Sequence, residues 1–310
     1  MPDDHFLAFA GFPCDHELKP INAGVALVGI PYHSIYPNET AHSAEAPAAI
    51  RRESNRYPGD PFAWDFDIGR PLAEICCGKV VDCGDLQVTP NNAVRNREII
   101  KSAISSVINA GAIPIVLGGD DSIPIPVLAA FEQEEPFFVL QLDAHIDWRD
   151  EVKGVGDGYS STMRRASEMP WVKGIVQVGA RGVGSARREE YQAAIDYGAI
   201  LITAKTFHER GIQQVLENIP KGSRCFLTID FDVLDPSNMP AVGAPTPGGL
   251  FFQETIDLIY AVSQHTSLVG VCLVELAPEQ DFNNLGVITA MRVVWNVIGA
   301  LMAQRDKNII

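Results

Sequence analysis

Phe137-Phe138-Val139-Leu140-Gln141-Leu142-Asp143-Ala144-His145-Ile146-Asp147 is the stretch from which the rest of the chain can be read. Its first six residues have the length and apolar character of a buried strand. Side chains alternate faces along a strand, so Asp143, His145 and Asp147 set out from one side of the backbone. Two carboxylates and an imidazole converging at a strand end are costly to bury without a positive charge to neutralise them. A divalent metal is the usual one, which makes the three residues candidate ligands.

Two further segments repeat the pattern. Cys225-Phe226-Leu227-Thr228-Ile229 is a short apolar strand that runs into Asp230-Phe231-Asp232-Val233-Leu234-Asp235-Pro236. Asp230 and Asp232 face the same way and Pro236 ends the pattern, so Asp235 reads as a structural turn residue. Ile113-Pro114-Ile115-Val116-Leu117 leads into Gly118-Gly119-Asp120-Asp121-Ser122, where the glycines permit a tight turn before the carboxylates. Three strands thus deliver acids at their C-terminal ends.

Strand-like runs at 25–30, 79–82, 113–117, 137–142, 175–179, 199–202, 225–230 and 269–276 alternate with helical patterns. The helical patterns lie near 44–55, 91–110, 122–133, 186–197, 208–218, 252–264 and 287–304. Strands that are apolar throughout and separated by helices predict a parallel sheet covered on both faces. Asn91 or Asn92 is suited to cap the helix that carries Ile100, Ile104 and Val107. No linker or repeat divides the chain, so 1–310 reads as one domain with 1–24 as an N-terminal extension. In open α/β sheets ligands bind beyond the carboxyl ends of strands, where all three acidic clusters fall. The Pro/Gly-rich segment 237–250 is expected to shape the pocket wall.

Composition narrows the function. A chain of 310 residues, 46% of them hydrophobic, can bury a large core. Its net charge of −15 argues against nucleic-acid binding, which wants a basic surface, and suits a small cationic substrate. No apolar stretch reaches the roughly 18–20 residues that span a bilayer. The acidic start Met1-Pro2-Asp3-Asp4-His5 lacks the basic residues of a signal peptide. Six cysteines show no Cys-x-x-Cys spacing. A reduced, cytoplasmic protein with no membrane contact is expected.

On these residues the chain resembles the ureohydrolase family of arginases and agmatinases. Gly29-Ile30-Pro31-Tyr32 and Ala46-Pro47-Ala48-Ala49-Ile50-Arg51 are similar to that family's N-terminal signature, and Val81-Asp82-Cys83-Gly84-Asp85 to its second-strand motif. The acidic segments at 118–122, 143–147 and 230–236 follow in family order. Pro245-Thr246-Pro247-Gly248-Gly249 and Val274-Glu275-Leu276-Ala277-Pro278 complete the set. The resemblance implies an arginase-like three-layer α/β/α sandwich with a mainly parallel eight-stranded sheet, assembled as a homo-oligomer (trimer or hexamer). It also implies two divalent metals, usually manganese, sharing a hydroxide that attacks a guanidinium carbon.

Mapped onto this chain, the resemblance implies that Asp143 and Asp230 bridge both metals. It gives His145 and Asp232 to one metal, and Asp147 and Asp121 to the other. Asp147 would also handle the hydroxide proton, and Glu275 would pair with the substrate guanidinium. Elementary chemistry agrees. A guanidinium carbon is a poor electrophile, and a metal brings the pKa of water towards about 7. An oxygen-rich site with one imidazole suits manganese, with nickel as the alternative. A carboxylate matches the guanidinium fork.

Two positions depart from the family. Where it normally carries a metal-binding His, this chain has Asp121, which makes that site all-carboxylate and harder. Where it commonly has a Ser-His-Gly-like motif, whose His shuttles protons or touches substrate, Tyr159 stands between Gly158 and Ser160. A phenol with an ordinary pKa near 10 is a weak shuttle at neutral pH but a good donor. His33 and His42, in the loop 31–45, are the alternatives for a substrate-side imidazole. Trp148-Arg149-Asp150 replaces the small polar residues that would hold an α-amino acid head group, which favours the agmatinase-like branch. Trp148 is then a candidate to face a cationic substrate.

The expected activity is metal-dependent hydrolysis of a C–N bond in a guanidino compound. Agmatine-like molecules, guanidino acids, guanidine and biguanides are the substrate classes, and urea or a substituted urea and an amine the products. Two other readings stay open: a non-catalytic or co-catalytic subunit beside a paralogous partner, and a single-metal amidohydrolase on the same fold.

Overall fold

Short runs rich in Val, Ile and Leu form one sheet in a computed structural model that describes residues 7–18, 21–34, 36, 42–56, 61–76, 79–89 and 92–307. The strands are β1 (Val25–Gly29), β2 (Val80–Asp85), β3 (Ile113–Leu117), β4 (Phe137–Leu142), β5 (Val172–Val178), β6 (Ile200–Ile202), β7 (Arg224–Asp230) and β8 (Ser267–Val274). They lie in the order β2-β1-β3-β8-β7-β4-β5-β6 and every pairing is parallel. Parallel neighbours need crossovers, usually helical. The first helices are α1 (Ala46–Arg56), α2 (Leu72–Cys76), α3 (Ala93–Asn109), α4 (Pro124–Ala129) and α5 (Thr162–Ser167). Then come α6 (Arg188–Tyr197), α7 (Ala204–Arg210), α8 (Gln213–Leu216), α9 (Phe252–His265) and α10 (Leu285–Lys307).

The helices sort into two layers. On β1, Val25 and Leu27 enter a core shared with α1, α2 and α7 to α10, while Ala26 and Val28 enter a second core shared with α3 to α6. Both faces of the strand are therefore apolar, which is why it reads as a continuous hydrophobic run. The result is the three-layer α/β/α sandwich expected from the sequence. Asn92 caps α3 by accepting from Arg95 N at 3.1 Å; Asn91 lies outside the described residues.

Differences from the sequence reading have local causes. The single helix expected over 208–218 is two, because Gly211 takes φ +68° and its N–H closes α7 onto the Phe207 carbonyl. Helices α2 and α5, of 5 and 6 residues, are too short to show a helical period. One expectation is corrected outright: Leu285–Arg305, with a mean hydropathy of 1.7 over its most apolar 18 residues, is long and apolar enough to cross a bilayer. In the fold 83% of those 18 residues are buried, and the helix packs against α1, α2 and α9.

Two of the signature motifs interlock away from the central strands. Arg51 on α1 is 2% exposed and forks onto Asp82 of β2, through Nε at 2.8 Å and Nη2 at 2.9 Å, and also binds Asp85. Phe9, fully buried, donates its N–H to the same Asp82 carboxylate at 2.8 Å. In the centre of the sheet β3, β8, β7 and β4 are neighbours. Their C-terminal ends bring the acidic segments to one crevice.

Candidate functional site

Each central strand ends in a sharp turn. After β3, Gly119 passes so close to Tyr32 that an added Cβ would lie 1.8 Å from its carbonyl oxygen. Asp120 fastens this exit to the turn after β1, accepting from Ser34 N at 2.5 Å, Ser34 Oγ at 2.6 Å and Ser122 Oγ at 2.6 Å. After β4 and β8, Asp147 and Glu275 adopt left-handed backbone at φ +50° and +68°. Such conformations are rare for residues other than glycine and need support from their surroundings. Here the Asp147 carbonyl accepts from Met163 N and Arg164 N, both at 3.1 Å, and the Glu275 N–H donates to Gly119 O at 2.7 Å.

These turns surround a cavity of about 440 Å³ lined by Asp121, His145, Asp147, Asp230, Asp232 and Glu275. Asp143 lies behind it, 1% exposed. Two trios of ligand atoms lie within 4.8 Å of one another: Asp143, His145 and Asp232, and Asp121, Asp143 and Asp230. Asp143 belongs to both. Asp147 stands outside either trio, its Oδ2 accepting from Gln141 Nε2 at 2.9 Å. Asp143 Oδ2 accepts from the same amide at 2.7 Å.

Backbone donors set the remaining carboxylates. Asp230 Oδ1 accepts from Asp232 N at 2.8 Å, and Asp232 Oδ1 from Ala144 N at 2.9 Å. Asp232 Oδ2 faces His145 Nδ1 at 3.0 Å. Glu275 Oε1 accepts from Asp121 N at 2.8 Å, and its Oε2 pairs with His42 Nε2 at 2.7 Å. Asp121 differs from all of these: both of its carboxylate oxygens are buried and neither has a hydrogen-bond partner.

The electrostatics follow. Burial, then the charges of Asp147 and Glu275, push the Asp121 carboxyl well above the usual range. Burial and neighbouring aspartates do the same to Asp143 and Asp230. Burial also raises Asp147 and Glu275. Burial opposes charge on both His145 and Asp232, but their contact wins, raising the imidazole to about 9 and lowering the carboxyl. Four raised aspartates, one of them the orphaned Asp121, form a donor set that is short of positive charge. Divalent cations fit it.

The other expected residues divide. Tyr159 lines the cavity, its ring 4.6 Å from Tyr36 and 5.9 Å from His42, which also lines it. His33 does not: Ser34 is pinned to Asp120, and the His33 ring lies beside Tyr32, 6.2 Å away. Trp148 borders the cavity but is 2% exposed, with its indole N–H bonded to Gln177 Oε1 at 2.7 Å and its ring 5.5 Å from Tyr197. It has almost no face to offer a substrate. The segment 237–250 supplies Gly243 and Ala244 to the wall. Asp235 clamps the loop's ends through Ser237 Oγ at 2.6 Å and Gly248 N at 2.7 Å, and the Ser237 hydroxyl helps hold its pKa at about 2.

Some residues of the site escaped the sequence reading. Arg181 gives its guanidinium to the carbonyls of Gly179, Asp232, Val233, Leu234 and Thr246, at 2.6 to 3.2 Å, tying the β5 and β7 exits to the Pro/Gly loop. Carbonyl acceptors leave no mark in a sequence. Arg149, paired with Glu190 at 3.3 Å, and exposed Glu279 also line the cavity. Gln141 had a signal: it lies two positions before Asp143 on an alternating strand.

Known proteins share the sequence pattern and the fold. The sequence matches the Arginase family over residues 23–299. It is 33% identical over 210 residues to N(1)-aminopropylagmatine ureohydrolase of Thermus thermophilus, covering 67% of this chain and 69% of that protein. Against proclavaminate amidinohydrolase of Streptomyces clavuligerus the identity is 29% over 290 residues, covering 90% and 88%. The solved structure of proclavaminate amidinohydrolase superposes with a TM-score of 0.82 at 25% identity, over 96% of this chain and 98% of that one. Formimidoylglutamase of Bacillus subtilis shares the fold at a TM-score of 0.82 and 22% identity, over 97% and 94%. With every site-bearing strand inside the matched region, the chain belongs to the arginase family.

Proposed function

We propose that this ureohydrolase holds two divalent cations, manganese foremost, and acts on an agmatine-like compound with a guanidinium at one end and a second positive charge at the other. The observation that carries the reading is Asp121, a buried carboxylate with no partner whose backbone N–H is bonded to Glu275. Asp121, Asp143 and Asp230 would hold one cation, and Asp143, His145 and Asp232 the other, with Asp147 beside them. The all-carboxylate trio suits a hard ion such as manganese, and the trio with an imidazole also tolerates nickel. Cations bound there supply a nucleophile at neutral pH, by bringing the pKa of water towards about 7.

The chain's own groups would do the rest. The Glu275 carboxylate matches the planar guanidinium fork, and the substrate would replace His42 at Oε2. Water oxygen bonds to the guanidinium carbon, the C–N bond breaks, and urea and an amine leave. Asp147 would hold the proton that water loses and return it to the departing amine. Exposed Glu279 at the cavity supports a cationic tail, whereas Glu190 is occupied by Arg149. A relative that acts on an aminopropylagmatine, as its name states, fits the same substrate class. Exposed Phe62, Trp64 and Phe66 support self-association into a homo-oligomer. The thiols of Cys14, Cys83, Cys225 and Cys272 suit a reducing compartment such as the cytoplasm.

The test is to load the purified chain with manganese or nickel, count metal per subunit, and assay urea release. The panel is agmatine, 4-guanidinobutyrate, guanidine, a biguanide and arginine. Two metals and fastest turnover of agmatine-like substrates are expected, with arginine poor. No turnover of any substrate under either metal would sink the proposal. One metal with amide cleavage would move the reading to a single-metal amidohydrolase.

A further inference from the structure

We propose that Trp148, Gln177 and Gln141 form a one-way chain of hydrogen-bond donors that orients the carboxylates of Asp143 and Asp147 for cation binding. The inference rests on the metal reading above. All three side chains are buried, at 2%, 1% and 0% exposure. Gln141 and Gln177 are register partners across β4 and β5, so their side chains leave the same face of adjacent strands.

The direction of the chain is fixed by chemistry. An indole N–H can only donate. Trp148 donates to Gln177 Oε1 at 2.7 Å, which commits that amide's oxygen and turns its Nε2 the other way. Gln177 Nε2 then donates to Gln141 Oε1 and to the Ile146 carbonyl at 2.8 Å. With its own oxygen used, Gln141 must present Nε2 to the acids, reaching Asp143 Oδ2 at 2.7 Å and Asp147 Oδ2 at 2.9 Å. Both hydrogens of each amide are consumed. Which end of a glutamine amide is oxygen is ordinarily open to assignment; one donor-only group at the far end settles both amides here.

The arrangement suits a cation site for two reasons. A neutral amide restrains a carboxylate without bringing a charge that would compete with the cation, as Lys or Arg would. The chain also grips the left-handed turn at Asp147 from three sides, at the Ile146 carbonyl, the Asp147 carboxylate and the Trp148 indole. Trp148, Gln177 and Gln141 are thus positioning residues, acting on the cation only through Asp143 and Asp147.

The experiment is a manganese competition against a chelating dye, run on the wild-type chain, Trp148→Phe, Gln141→Leu and the double variant. Circular dichroism and a metal-free thermal melt check that each is folded. Removing such an outer partner typically costs about 10–100-fold in metal affinity. That loss is expected for Gln141→Leu, and a smaller one for Trp148→Phe. The double variant should bind no worse than Gln141→Leu alone, because both substitutions break the same chain. Losses that simply add, or affinities all equal to wild type, would overturn the inference while leaving the metal reading intact. A wild-type chain that binds no manganese would overturn both. Should Gln141→Leu fail to fold, Trp148→Phe with Gln177→Met completes the same cycle.

Discussion

Asp121 carries two buried carboxylate oxygens with no hydrogen-bond partner, and repulsion from Asp147 and Glu275 adds to the cost of its charge. Such a group destabilises the metal-free fold and is relieved by a cation. Asp121→Asn keeps the size and removes the charge. It is expected to raise the melting temperature of the chelator-treated chain by about 1–4 °C. The additional rise on adding manganese should shrink, because one trio loses a ligand. Scanning calorimetry with and without manganese reads both effects. A lower metal-free melting temperature in Asp121→Asn would show that its charge is already compensated.

At the scale of elements, the central strands are legible because both faces of each are buried, but the turns after them are not. Strand β4 ends at Leu142 as the sequence predicts, but the alternation expected to carry on through Asp143, His145 and Asp147 gives way to a turn with a left-handed Asp147. Trp148 follows Asp147 and His33 shares the loop 31–45 with His42, yet the His33 ring lies beside Tyr32 and the buried Trp148 ring beside Tyr197. Gln141 and Gln177 become partners only once β4 and β5 are known to be neighbours. Arg181 is the extreme case, since its partners are all main-chain carbonyls. Burial lowers its pKa, and the hydrogen bonds compensate for lost water. Arg181→Met should cost about 2–4 kcal/mol in urea unfolding, as lost charge-assisted bonds leave several carbonyls unpaired. Arg181→Lys should recover only part, because an ammonium has fewer donors and no planar fork. A full recovery by Lys would mean that charge, and not the fork, holds the loops.

The whole molecule carries a net charge of −15, and the acids buried in one crevice set how its stability depends on pH. The carboxyls of Asp121, Asp143, Asp147, Asp230 and Glu275 are raised in the fold, chiefly by burial. A folded pKa above the unfolded value, near 4 for a carboxyl, gives stability that is present in acid and lost as pH rises through the folded pKa. His145 acts in the same sense: its contribution is complete below 6.5 and is lost as pH rises through about 9. Asp232, lowered, and Asp235, held at about 2, contribute in full above about pH 4 and are lost only in stronger acid. They leave the slope unchanged between pH 6 and 8.5. The metal-free chain should therefore melt at a lower temperature at pH 8.5 than at pH 6. Cation binding runs the other way, because carboxylate and imidazole ligands must shed their protons first. The manganese-induced rise in melting temperature is expected to be larger at pH 8.5 than at pH 6, by scanning calorimetry with manganese or chelator. A rise that is equal or smaller at the higher pH would mean that protons and cation do not compete for these groups, and that the cation binds elsewhere.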